Sequence, residues 1–286
     1  MIRDCKYPIA RSLAQLCSML KISPIDILRR TNLSADILDD KAEGVTAVQF
    51  FAIFQAVQDQ MGEPCLSIKL GRALARGPFL TGMYIFSCSP NILTGMTRLT
   101  EFKSLLGPIR ARVDRDAETV QIAFSSVDPR ATIPDAMAEF ELIYFTELCR
   151  LFTAEPIKPI RAEIPHVSAC QAELAAALGV EPLRGQNLAL TFSRADAQRP
   201  LITSNAELWA MLEPRLRRDL TDREGALPIS VRVKNALLEL LPSGIATING
   251  VCDKLRVSER TLQRQLQLES QSYQSILEAT RADLAI

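Results

Sequence analysis

The chain has 286 residues, 48% of them apolar and 23% charged, with 33 Lys plus Arg against 33 Asp plus Glu. That is enough material for one large domain and a small one around a substantial core, and it excludes a disordered or fibrous chain. Zero formal net charge argues against a general nucleic-acid coat, which needs surplus cations to displace counterions, but leaves room for a local basic surface.

Taken in chain order, residues 9–20 place Ile9, Leu13, Leu16 and Leu20 on one helical face. Ser23-Pro24 then opens a second helix, Ser as N-cap and Pro at the first helical position. Val48, Phe51, Phe54 and Val57 repeat the amphipathic pattern, so residues 1–105 are expected to be mainly helical. The period changes at 109–126. Ile109, Ala111 and Val113 alternate, as do Val120, Ile122 and Phe124 after the polar stretch 114–118, which predicts a β-hairpin. A helix follows over about 135–152, strands over 157–164 and 187–193, and between them a helix over 169–178 ending at Gly179 as C-cap. Residues 204–220 return to helix, capped by Ser204 or Asn205, with Leu208, Leu212 and Leu216 on one face.

The expected fold is therefore an α+β N-terminal domain, helices plus a small mixed sheet, over 1–220. The polar run TDREGALP (221–228) reads as a linker. An all-α segment follows over 229–286: one helix marked by Ile229, Val233, Leu237 and Leu240 and broken at Pro242-Ser243-Gly244, then short helices over 247–255, 258–269 and 272–285.

The seven cysteines, Cys5, Cys17, Cys65, Cys88, Cys149, Cys170 and Cys252, are odd in number and none fall in a CxxC spacing. Neither a disulfide framework nor a zinc site is expected, and the cysteines read as structural thiols in a reducing cytosol. No stretch reaches the ~20 apolar residues of a membrane span. The N-terminus MIRDCKYPIARS lacks the apolar run of a signal peptide. A cytoplasmic protein without a membrane partner is the expectation.

The informative segment is IATINGVCDKLRVSERTLQRQLQLES (245–270). Ile248, Val251, Cys252 and Leu255 give a first helix one buried face. Arg256-Val257 makes a turn too short to do anything but reverse the chain, and Ser258 caps a second helix carrying Leu262 and Leu266. Two such helices sharing these side chains have helix-turn-helix geometry. Outward on the second helix, Arg260, Gln263, Arg264 and Gln267 follow three-four spacing and share a face. Arg fits guanine's two major-groove acceptors and Gln fits adenine's acceptor and donor. From Lys254 to Arg264 there are four basic residues (Lys254, Arg256, Arg260, Arg264) against Glu259, while 226–286 as a whole has seven basic and six acidic residues, a net of +1. The basic character is thus local. Ser258, Arg260, Gln263, Arg264 and Gln267 are the candidate DNA-binding residues. On pattern alone the alternative is a solvated Arg/Gln face on an ordinary helical hairpin.

Residues 248–266, and VSERTLQRQL (257–266) above all, resemble the first helix-turn-helix of AraC/XylS-type regulators. In that family the run reads small-apolar, Ser, any, Arg, Thr, Leu, Gln, Arg, any, Leu. Ser258, Arg260, Thr261, Leu262, Gln263, Arg264 and Leu266 match it. Cys252 stands where the family usually has Ala. Arg256 stands where Gly is frequent, so the turn must be made without it. SYQSILEATRADLAI (272–286) is similar to the helix that links the family's two helix-turn-helix units. ILRRTNLSADILDD (27–40), LSIKLGRAL (66–74), Pro165-His166 and LTFSRADAQRPLITSNAELW (190–209) resemble the branch with an arabinose-binding-like effector domain.

The resemblance implies a regulator whose first 220 residues sense a small-molecule effector or dimerise. Its partners would be duplex promoter DNA, RNA polymerase and a second copy. It also implies a second reading unit about one DNA turn, ~34 Å, from the first. The sequence holds only one, so the chain is expected to be either a form truncated after the first unit or a natural short form, and to bind DNA weakly as a monomer. Activation or repression depends on promoter layout.

Enzyme signatures are not found. The single histidine, His166, has no nucleophile turn to serve, and no GxxxxGK[ST] or GxGxxG run occurs. Glu139 and Glu141, two apart on a helix, point different ways. Asp39-Asp40 reads as a solvated turn. No catalytic residue, cofactor or metal is expected. Phe102, Tyr144 and Phe145 could line an effector pocket but read as core packing. Two readings stay open: a ligand-responsive DNA-binding regulator, and an effector-binding or dimerising protein that no longer reads DNA productively.

Overall fold

A computed structural model describes residues 5–39, 42–77, 81–241 and 246–284. The chain divides into two compact units, Lys6–Leu216 and a second formed by Met1–Cys5 with Arg217–Ile286. The division falls inside a helix.

The larger unit begins with helices α1 (Ala10–Leu20), α2 (Pro24–Arg30) and α3 (Ala47–Met61). Ile9, Leu13, Cys17, Ile27, Leu28, Ile53 and Val57 form one buried cluster among them. Pro24 sits at the first turn of α2, as its missing N–H favours, although the Ser23 side chain makes no capping bond. The stronger N-cap is at α3. There Thr46 Oγ1 accepts from Gln49 N (3.3 Å) while the Gln49 side chain accepts from Thr46 N (2.9 Å), a reciprocal capping box. Phe51, Phe54 and Val57 are buried, but Val48 is 54% exposed; Ile53 completes the inward face instead.

Helices α4 (Leu66–Ala75), α5 (Thr81–Ser87) and α6 (Ile92–Phe102) lead into strands β1 (Ile109–Arg115) and β2 (Thr119–Ser126). Helix α7 (Asp135–Thr153), β3 (Arg161–Ile164), α8 (Gln171–Leu178), β4 (Leu183–Arg184), β5 (Leu188–Ser193), α9 (Arg194–Ala197) and α10 (Ala206–Ala226) follow. The sheet order is β1-β2-β5-β3-β4. All neighbours are antiparallel except β3 and β4. The mixed sheet thus arises from a hairpin extended by later strands. Register aligns the apolar alternation: Val113 pairs with Ile122, and Ile122 with Leu190. A slip of one residue would turn this ladder to solvent.

Helix α7 is the axis of the unit. Phe145 at its centre meets Phe86 of α5 (5.5 Å between ring centroids), Phe124 of β2 (6.1 Å) and Phe192 of β5 (6.3 Å). Gly71 lets α4 lie directly on α7, since a Cβ there would stand 2.8 Å from Ile143 Cγ2. Buried on nearly every side, α7 nevertheless carries Glu139, Glu141 and Glu147, all under 9% exposed. Each has a partner, as buried charge requires. Ser67 Oγ donates to Glu139 (2.6 Å), Lys103 Nζ to Glu141 (2.7 Å), and Arg150 Nη1 (2.9 Å) with Arg76 Nη2 (3.3 Å) to Glu147. Glu139 and Glu141 do point different ways.

Two expectations are corrected. Cys65 and Cys170 form a disulfide across 105 residues of sequence, with Cα atoms 5.7 Å apart. Spacing along the chain carries no trace of a pair brought together only by tertiary packing. Cys17, Cys88, Cys149 and Cys252 are buried thiols, as read, and burial pushes each thiol up, away from reactive thiolate. The polar run at 221–228 is not a loop throughout. α10 continues to Ala226, and only Leu227 and Pro228 interrupt helix before the next element. Charged side chains favour solvated helix as readily as loop, and Gly225 is tolerated near its end. Pro242-Ser243-Gly244 and Asp40 lie outside the described residues; Asp39 is exposed.

Candidate nucleic-acid interface

The smaller unit contains α11 (Ile229–Leu240), α12 (Ile248–Leu255), α13 (Glu259–Leu268) and α14 (Tyr273–Leu284). Val233, Ala236 and Leu237 of α11, Val251 and Cys252 of α12, Leu262 and Leu266 of α13, and Ile276 and Leu277 of α14 form one buried cluster. Ile248, Leu255 and Val257 pack partly buried at its edge. The apolar positions that suggested two helices sharing side chains do meet in one core.

The turn between α12 and α13 is made by Arg256 in the left-handed conformation, φ 54° and ψ 43°. Arg256 N–H donates to Asp253 O (3.2 Å) and Val257 N–H to Cys252 O (3.1 Å). This nested pair is the Schellman motif, normally closed by glycine because a Cβ is disfavoured at positive φ. The chain thus closes with arginine a turn for which glycine is the favoured residue. Ser258 then caps α13: its Oγ accepts from Thr261 N (3.2 Å) and lies 2.8 Å from Thr261 Oγ1.

With Leu262 and Leu266 fixed inward, helical geometry turns the intervening residues out. Ser258, Arg260, Gln263, Arg264 and Gln267 are all exposed. Gln263 Nε2 donates to Glu259 Oε1 (2.9 Å), one turn back on the same helix. Neither Arg260 nor Arg264 has a hydrogen-bond or ion-pair partner among the described residues. The face therefore presents planar guanidinium groups and amides to solvent. Leu268, 81% exposed, continues the helix surface.

Sequence reasoning missed the group that holds this unit's ends together. Past α13, the Glu269 carboxylate accepts from Ile229 N (2.7 Å), Ser230 N (3.0 Å) and the Ser230 hydroxyl. It satisfies the first N–H groups of α11, whose N-cap is Pro228 without a capping side chain, and adds negative charge at the positive end of the helix. Tyr273 OH donates to Ala246 O (3.1 Å), tying α14 to the segment before α12. A glutamate at a helix end, forty residues from the amides it caps, has no local signature.

In the other unit, Phe102, Tyr144 and Phe145 are all buried and pack as core. His166 Nε2 lies 3.4 Å from Glu139 Oε1, and its Nδ1 lies 3.1 Å from Asp135 Oδ1 without hydrogen-bond alignment. The cluster of Cys65, Cys170 and Glu173 brings ligand-type atoms within 4.8 Å, but the two sulfurs are spent in the disulfide.

The sequence matches the family described as the arabinose-binding domain of AraC transcription regulators, N-terminal, over residues 22–201. No curated protein matches. Among solved structures, transcriptional regulator CdpR from Pseudomonas aeruginosa is similar at 18% identity and TM-score 0.47, over 96% of this chain and 83% of that one.

Proposed function

The chain belongs to the family of AraC-type transcription regulators with an arabinose-binding N-terminal domain, and from that premise we propose that it reads duplex DNA through α13 in response to a small-molecule effector. The observation that carries the reading is the outward stripe of Arg260, Gln263, Arg264 and Gln267 on the second of two helices packed through a tight turn. In the major groove, Arg260 and Arg264 would each reach guanine O6 and N7, and Gln263 and Gln267 adenine N6 and N7. Ser258 spends its hydroxyl on the cap and so serves by presenting the N–H end of α13 to a phosphate. The residues before the division bind the effector or a second copy, and RNA polymerase is the protein contacted at the promoter. Such a regulator works in the cytoplasm and needs no catalytic group, cofactor or metal.

The test is binding to promoter duplexes from the source locus, followed by fluorescence anisotropy across salt. Phosphate contact imposes a steep fall of affinity with salt. Arg260→Ala or Arg264→Ala is expected to cost about 1–3 kcal/mol on the preferred sequence and to relax discrimination at one base pair. If both variants bind as the parent does, α13 is not the reading helix. An effector-binding or dimerising protein without productive DNA contact then takes its place.

A further inference from the structure

We propose that the Cys65–Cys170 pair is a reversible thiol–disulfide exchange site, with dithiol reductants and small disulfide oxidants as its reactants. Both cysteines are N-cap residues: Cys65 precedes the ten-residue α4 and Cys170 the eight-residue α8. The bond therefore joins the positive ends of two helices. Neither sulfur makes a capping bond in the crosslinked form; on reduction each stands at the end of a helix whose dipole favours thiolate. That stabilises the dithiol form relative to a crosslink in a neutral setting and makes each sulfur a good leaving group. The Glu173 carboxylate, within 4.8 Å of the sulfurs, opposes this, but Glu173 is exposed, and the high dielectric of water weakens its effect.

The two ends differ in access. Cys170 is 8% exposed, while Cys65 is only half-buried. A reductant thiolate attacks Cys65 Sγ; the S–S bond breaks and Cys170 leaves as thiolate, taking up a proton. The reductant's second thiolate then attacks the mixed disulfide and releases Cys65. Two electrons and two protons pass to the protein, and the reductant leaves as a disulfide. A small-molecule disulfide runs the sequence backwards.

The backbone around the bond is poised to respond. Cys65 holds φ 57°, a left-handed conformation disfavoured for a residue with Cβ. Reduction leaves the α4 start and the 166–170 segment joined through weaker links: Ser67 to Glu139 (2.6 Å) and Glu139 to His166 (3.4 Å). Exchange at this site thereby sets how tightly α4 is held to the segment before α8.

The experiment uses the full chain without denaturant. One sample is treated with dithiothreitol and one with diamide; each is alkylated with N-ethylmaleimide while folded and mapped by peptide mass. After diamide, the peptides holding Cys65 and Cys170 are expected as one linked species without adducts. After dithiothreitol, both are expected to carry adducts, with a common midpoint across redox buffers, while buried Cys17 and Cys149 stay unmodified. Hydrogen exchange at residues 65–68 and 168–174 should quicken on reduction. Adducts at both cysteines after diamide, with no linked peptide, overturn the proposal. So does a linked peptide that resists reductant until the protein is unfolded. Cys65→Ser should leave Cys170 reactive under both treatments; should that variant not fold, the parent protein's cycle still decides. None of these readouts involves DNA, so their failure and the failure of the reading helix are separate results.

Discussion

In the Lys6–Leu216 unit, the three glutamates of α7 are drawn into the core and each is matched there, whereas in the Arg217–Ile286 unit the arginines of α13 stand in solvent with no partner among the described residues. Lys103 and Glu141, 9% and 7% exposed, meet at 2.7 Å in the interior. A buried pair adds little net stability, because desolvation offsets attraction, yet losing one member strands the other. Exposed cations add almost nothing to the fold, and their attraction stays available to something outside it. One unit uses charge to fix its own interior; the other leaves charge in solvent, where the proposed DNA reading would use it.

The sharpest way to break that contrast is Lys103→Met. It leaves the Glu141 carboxylate without its ion-pair partner and is expected to cost about 3–5 kcal/mol. Lys103→Met with Glu141→Leu should recover most of the loss, since two apolar side chains can fill the same space. Trp209 is the chain's single tryptophan and packs within the same unit, on Phe102 (6.1 Å between centroids) and beneath Arg98 (3.9 Å). Its fluorescence during urea unfolding therefore reports on this unit alone. A single-variant loss below about 1 kcal/mol, the range of an exposed pair, would erase the distinction.

The smaller unit has its own internal charge at Glu269, and Glu269→Ala should cost about 1–3 kcal/mol by leaving the Ile229 and Ser230 amides unsatisfied. Faster hydrogen exchange at those two amides is the measure. Unchanged exchange would show that water replaces the carboxylate without loss. Arg260→Ala and Arg264→Ala provide the opposing case within the same unit. Their effect on unfolding should stay within about 0.5 kcal/mol, as for surface positions without partners, while DNA binding falls. A large stability loss would mean that the stripe serves the fold.

What could be read beforehand follows from the reach of each interaction. The hairpin over 109–126 was legible because alternation is a local pattern and both strands carry it. The two helices around Arg256 were legible because Val251, Cys252, Leu262 and Leu266 recur at helical spacing, and the exposure of the Arg/Gln stripe follows from where those four point. The partners of Glu139, Glu141 and Glu147 were not legible, nor was the bond from Cys65 to Cys170, since each joins segments far apart in sequence. Helix ends were half legible. Gly179 was found as a C-cap, but Lys21, Asn32 and Ser270 close their helices at positive φ without glycine, and a search for glycine passes over them; the Arg256 turn was legible only from the helices on either side.

Arg256 gives the finest test. At φ 54° its Cβ crowds the following carbonyl, at a cost of roughly 1–2 kcal/mol for a residue with a side chain. Glycine removes that cost but adds about 0.5–1 kcal/mol of unfolded-state freedom to be lost on folding. The net expected for Arg256→Gly is a gain of up to about 1 kcal/mol, read as slower hydrogen exchange in α12 and α13. A loss instead would mean that the guanidinium contributes contacts worth more than the backbone relief. Because the substitution also deletes a cation beside the stripe, salt-dependent DNA affinity in the same variant separates the two roles. Stability should rise while the salt slope shrinks by about one phosphate's worth if Arg256 touches the backbone, and the slope should hold if it serves the turn alone.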